Sequence, residues 1–132
     1  KVYKVNQNTI EIKNRDLAER LFLFAVRTIK FLRNLPNEPE FNNIRFQLSK
    51  SSNSSGANYE EAQAASSRND FIYKNEISLK EMRESNYWLR IIDATITFEA
   101  VLLTELLFLI EESAQLKNIL GSIVKNTKHN IK

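Results

Sequence analysis

Ser49-Lys50-Ser51-Ser52-Asn53-Ser54-Ser55-Gly56 is the stretch on which the fold turns. By composition it is a linker, because Ser, Asn and Gly are poor residues for the middle of a helix. By spacing it belongs inside one. Phe41, Ile44, Leu48, Ser52, Ser55, Tyr59 and Ala62 recur at intervals of three and four and share a single helical face. The centre of that face is small, which lets a neighbouring helix approach closely. Further along, Phe71, Asn75, Ser78, Met82, Ser85, Leu89 and Ile92 repeat the pattern, again small in the middle. Composition and spacing give opposite answers here, and the pattern alone leaves linker and helix evenly matched.

Outward from this stretch the breakers are few. Pro36-Asn37-Glu38-Pro39 is a connector, Ser66-Ser67 a second break, and residues 93–97 a weaker third. Asn14 reads as an N-cap with Asp16 in the first turn of a helix that runs to Leu35. Four helices are the natural count, at about 14–35, 40–65, 67–92 and 98–127. Residues 1–12 read as loosely attached, with Val2, Val5, Ile10 and Ile12 as anchors. The 132 residues make room for one domain, residues 1–132, and not two.

The residue inventory narrows the chemistry. There is no Cys, and the single histidine is His129. These exclude a cysteine nucleophile and a cysteine-based zinc site, and they argue against histidine metal sites and Ser-His-Asp triads. Gly56 and Gly121 are the two glycines, so no glycine-rich loop can cradle a phosphate. A di-metal carboxylate bundle wants Glu-x-x-His on two helices. This chain offers Glu81-x-x-Glu84 and no core histidine. The expectation is a protein that is not an enzyme and carries no metal or cofactor. The longest nearly apolar run, Val101–Ile110, is interrupted by Thr104 and Glu105 and is too short for a bilayer. With no apolar signal region at the start, the expected location is cytoplasmic.

The helices carry more apolar surface than a small bundle can bury. In the first, Phe22 and Ile29 widen the apolar face to roughly half the circumference, opposite Arg20, Arg27 and Lys30. In the third, Tyr73, Ile77, Tyr87, Trp88 and Ile91 form a second face with Glu84 among them. In the fourth, Val101, Phe108, Ile119 and Ile123 lie away from Leu103, Leu106, Ile110 and Val124. Exposed patches of that size mark interfaces. A homo-oligomer built through the third and fourth helices is therefore expected, with Trp88, Ile91, Glu105, Phe108, Glu112 and Ile119 at its contacts. Glu105 and Glu112 should meet Arg or Lys there.

The net charge of +3 hides an asymmetry. Residues 1–50 are basic, residues 51–112 acidic, and the last twenty residues carry four lysines and no acid. Such a distribution can bind polyanions or pair faces within an oligomer. The basic row Arg20, Arg27 and Lys30, the pair Arg83 and Arg90, and the tail lysines Lys125, Lys128 and Lys132 are the candidate phosphate contacts.

From Pro36 to Leu89 the chain reads Gln47-Leu48, Ser51, Ser54, Gly56-Ala-Asn-Tyr-Glu-Glu-Ala62, Ser67, Asp70-Phe-Ile, Lys74, Lys80-Glu81, Glu84 and Tyr87-Trp-Leu89. This resembles the bacterial four-helix-bundle family encoded within intervening sequences of 23S rRNA genes. It is also similar to the accessory variability determinant of diversity-generating retroelements. The resemblance implies an all-α, up-down-up-down antiparallel four-helix bundle with residues 49–56 inside its second helix. It further implies assembly into a ring, typically a homopentamer. Ser55 departs from the family, which often has an aliphatic residue there, and Glu60 stands where a small residue is common. The retroelement relative is a basic nucleic-acid-binding partner of a reverse transcriptase. By the same resemblance, RNA or DNA and a reverse transcriptase are expected partners, and a protein-interaction scaffold without nucleic acid is the alternative. Asn58, Glu61, Lys80, Glu84 and Tyr87 match the family's polar pattern. Their expected role is a structural polar network, with Lys80 and Glu84 placed to pair, although two glutamates and a tyrosine also suit acid–base chemistry.

Overall fold

Leu48, Met82, Leu89, Ile92, Leu106, Leu109, Leu116 and Leu120 are completely buried in one core. Each such side chain withdrawn from water contributes about 1.5–3 kcal/mol. The computed structural model describes residues 7–130, with side chains from residue 16 onward. Among these residues the helices are α1 (Gln7–Leu32), α2 (Pro39–Gln63), α3 (Arg68–Thr95) and α4 (Ala100–His129). α1 packs on α2 and α4, and α3 packs on the same two helices, closing a four-helix bundle. Neighbours run antiparallel. Arg20 meets Glu112 while Arg27 meets Glu105, and Ser51 meets Ser85 while Ser55 meets Ser78.

The serine stretch is helical from end to end, and α2 passes through it unbroken. A mid-helix serine normally weakens a helix because its hydroxyl competes for backbone groups. Here the hydroxyls are occupied across the α2–α3 contact. Ser55 Oγ donates to the Ser78 carbonyl at 2.8 Å, and Ser78 Oγ donates to the Ser55 carbonyl at 2.7 Å. One turn away Ser51 and Ser85 share a hydroxyl–hydroxyl bond of 2.8 Å. A side chain of two heavy atoms can reach the facing backbone only when the helices lie very close. Small residues on both faces allow this, and the α2–α3 contact is the most extensive in the bundle. Ser55 is fully buried and bonded.

Helix ends follow their local chemistry. α1 opens at Gln7, not at Asn14, because no Gly or Pro interrupts residues 7–13 and nothing forces a cap at residue 14. Residues 1–6, with the expected anchors Val2 and Val5, lie outside the described residues. α1 closes at Leu32, and residues 33–35 tighten into turns through bonds to the carbonyls of Lys30, Phe31 and Leu32. Arg45 then reaches back from α2 and donates to the carbonyls of Leu32, Leu35 and Pro36 at 3.4, 3.0 and 3.3 Å. It satisfies acceptors that a helix end leaves open and pins the α1–α2 connector. Pro39 sits at the start of α2, where its missing N–H costs nothing. Ser67 caps α3 by accepting from the Asp70 N–H at 3.1 Å.

Candidate interaction site

The basic row on α1 divides once its neighbours are in place. Arg20 donates from Nε and Nη2 to the two carboxylate oxygens of Glu112, at 3.0 and 2.7 Å, and a further bond reaches Gln115. Arg27 grips Glu105 in the same way at 2.9 and 2.6 Å. Its guanidinium also lies 3.7 Å from the centre of the Phe108 ring. Bidentate Arg–carboxylate pairs are among the stronger charge contacts. The hydrogen bond to the carboxylate holds each guanidinium more firmly protonated than usual, against a smaller opposing effect of burial. Arg20 and Arg27, expected as phosphate contacts, are thus committed to α4 of their own chain. Glu105 and Glu112, expected to meet cations at an oligomer contact, find them inside the protomer. Lys30, on the same helix, is exposed and has no ion-pair partner among the described residues.

The other expected contacts divide similarly. Arg83 and Lys125 are exposed with no ion pair among the described residues. Arg90 donates to Asn86 at 2.9 Å and faces the Tyr87 ring. Lys128 pairs with Glu76 at 2.5 Å. Lys132 lies outside the described residues. Further cations, among them Arg33 just after α1, Lys50 on α2, Lys80 on α3 and Lys117 on α4, are also without an ion-pair partner there.

The expected polar network is not one network. Asn58 bonds back to Ser54, and Glu61 pairs with Lys74 at 2.7 Å. Glu84 accepts from the Trp88 indole at 3.1 Å and is not paired with Lys80, which is exposed. Tyr87 is half exposed and stacks edge-on against Trp88. Asn58, Glu61, Glu84 and Tyr87 each contact a residue of their own helix or one neighbour, and the five are not brought together at one place. Among the described residues, no group of three His, Asp or Glu is placed to hold a metal ion. No helix among them is long and apolar enough to cross a membrane.

What remains prominent is exposed apolar surface. Phe22, Leu23 and Ile29 on α1, Phe46 on α2, Tyr73 and Tyr87 on α3, and Leu103, Leu107 and Phe108 on α4 are all substantially exposed. Trp88, Ile91 and Ile119, expected at an oligomer contact, are half-buried against the protomer's own core and keep part of their surface exposed. Between α1 and α2 runs a groove of about 370 Å³ with Ala18, Ala25, Gly56 and Ala57 along it and Phe22 and Ile29 beside them. Periodicity singled out the apolar excess of α1 but not this groove, because its other wall belongs to the helix read as an even choice with a linker.

The model of the family described as 23S rRNA-intervening sequence protein matches residues 13–120. A crystal structure of a protein of unknown function from the S23 ribosomal protein family, from Bacteroides thetaiotaomicron, superposes with a TM-score of 0.74 at 33% identity. The alignment covers 86% of this chain and 98% of that one. No curated protein matches the chain.

Proposed function

The chain belongs to the 23S rRNA-intervening sequence protein family, and from that premise we propose that it acts by binding and not by catalysis. Several copies assemble through their exposed apolar faces, and the assembly presents repeated free cations to the phosphates of RNA or DNA. The observation that carries this is the set Lys30, Arg33, Arg83, Lys117 and Lys125, which have no ion-pair partner among the described residues. Unpaired lysines and arginines can release counterions from a polyanion, whereas those already gripped by carboxylates cannot. Contacts of this kind ignore base sequence, and symmetry multiplies individually weak ones.

A fluorescence-anisotropy titration with structured RNA and duplex DNA, at low and moderate salt, tests it. Binding should fall steeply with salt. The Lys30→Ala/Arg33→Ala/Lys125→Ala variant should bind weakly, while Arg20→Ala/Arg27→Ala should lose little. No binding by the unaltered protein at low salt would overturn the nucleic-acid role. It would leave a protein-interaction scaffold, the second reading, which the capture of Arg20 and Arg27 by Glu112 and Glu105 favours.

A further inference from the structure

We propose that the end of the bundle where α1 gives way to α2 holds single-stranded RNA or DNA, with an unpaired base stacked on Phe46 and its phosphates held by Arg33, Arg45 and Lys50. This rests on the nucleic-acid reading above and names the form of the strand and the place where it sits.

Phe46 stands two residues from Ile44 and two from Leu48, both buried, and so lies about 200° round α2 from the core. It is 64% exposed. A phenyl ring left this open by its own protomer offers a flat apolar face. With Asn42, Arg45, Ser49 and Lys50 it lines an open hollow of about 420 Å³. A second hollow, of about 220 Å³, adjoins the first through Arg45 and Ser49 and has Arg33 on its α1 side. Among the described residues, no carboxylate lines either hollow. The complement of such a surface is an anion that also carries a flat ring.

The cations are free to serve it. Arg33 and Lys50 are exposed and have no ion-pair partner among the described residues. Lys50 is one turn beyond Phe46, a spacing of about 5–6 Å between Cβ atoms. Its long side chain therefore reaches the phosphate of a nucleotide whose base lies on the ring. Arg45 is already held in place, donating to the carbonyls of Leu32, Leu35 and Pro36 and to Asn42 Oδ1 at 2.9 Å. One N–H of its Nη1 stays free, and its charge meets no carboxylate among the described residues. A guanidinium fixed before the ligand arrives loses little freedom on binding it. Strand form follows from the ring. Bases inside a duplex are covered on both faces by their neighbours, whereas a single strand presents open faces to aromatic side chains. Every base has such a face, so this contact tolerates any sequence.

Fluorescence anisotropy with a labelled oligothymidylate and with a duplex of equal length tests the site, at several salt concentrations. The unaltered chain should hold the single strand more tightly than the duplex. Phe46→Ala should weaken the single strand about tenfold, leave the duplex unmoved and keep the salt slope. Phe46→Trp should retain single-strand affinity. Lys50→Ala should instead reduce the slope of log affinity against log salt by about 0.7. Each variant is also followed by circular dichroism and light scattering. A Phe46→Ala loss that falls equally on the duplex, or that comes with a change in helicity or particle size, overturns the stacking role. Unchanged single-strand binding by Phe46→Ala overturns the site, and duplex binding that persists then leaves the broader nucleic-acid reading standing. No binding of either probe at low salt defeats both.

Discussion

Leucine in place of Ser55 or Ser78 probes the closest contact in the bundle. Both serines are fully buried, and each hydroxyl donates to the other helix's backbone at 2.7–2.8 Å. Removing one hydroxyl as Ser→Ala loses a hydrogen bond worth about 1 kcal/mol. The carbonyl it served keeps its own place in a helix, and alanine's better helix propensity returns about 0.5 kcal/mol. The alanine variants should therefore fall by less than about 1 kcal/mol. Leucine replaces one oxygen with three carbons where no free volume exists, and overpacking of this kind costs about 1–3 kcal/mol. The leucine variants should lose about 2–3 kcal/mol in all, which for a chain of this size lowers Tm by roughly 4 °C per kcal/mol. Urea denaturation followed by helical circular dichroism measures this, at one fixed protein concentration so that any self-association contributes equally. The contrast carries the inference. In a loose contact leucine would match or exceed alanine by adding buried apolar surface. Leucine variants as stable as the alanine ones would refute close α2–α3 packing.

Gly56→Ala should stabilise the protein by about 0.5–1 kcal/mol, since the new Cβ would stand at an ordinary 3.5 Å from Leu21 Cβ and the helical backbone needs no glycine; a lower urea midpoint would count against it. A double-mutant cycle on Arg20→Ala and Glu112→Ala should give a coupling of about 1–2 kcal/mol, because the pair is bidentate and part-buried. The exposed Lys128–Glu76 pair should give less than about 0.5 kcal/mol, and equal couplings would show that burial is not what separates them. Glu81 is held above the usual carboxylate range by burial, helped by the neighbouring Glu84. Its contribution is therefore present below the unfolded pKa and lost as pH rises through the folded one, so Glu81→Gln should gain stability over the parent at pH 7. Denaturation at about pH 3, where both chains carry a neutral group, should show that gain gone.

Sequence spacing located the buried faces of α2 and α3, where short-range periodicity decided them, but not that of α4, whose buried Leu109, Leu116 and Leu120 were hidden in a helix apolar on two sides. Ser52, Ser55, Tyr59 and Ala62 on α2, and Ser78, Met82, Ser85 and Leu89 on α3, all lie in the core as their intervals demand. Composition misled at residues 49–56 because propensity prices a serine as though its hydroxyl were unpaired. Its cost disappears when the facing helix supplies an acceptor. The start of α1 was misplaced for a related reason. Asn14 has the chemistry of a cap, but a cap stops nothing when the preceding residues can also be helical.

Charge was the least legible feature, and the reason is distance along the chain. Arg20 and Glu112 are separated by 92 residues and Arg27 and Glu105 by 78. Neither pairing follows from a pattern of three or four. Each needs to be known as part of a bundle in which α1 borders α4 antiparallel, with the register fixed to within a turn. On a bare helical wheel the three cations of the basic row, Arg20, Arg27 and Lys30, look alike. In the fold two of them become fasteners between the first and last helices, and Lys30 keeps its charge exposed with no ion-pair partner among the described residues. The same register that uses up Arg20 and Arg27 also lifts Phe22 and Ile29 to the height of Ile110 and Leu103. The closure of the protomer and the heights of its exposed apolar residues thus follow from one set of contacts, so shifting α1 by a turn against α4 would break both ion pairs and move Phe22 and Ile29 together.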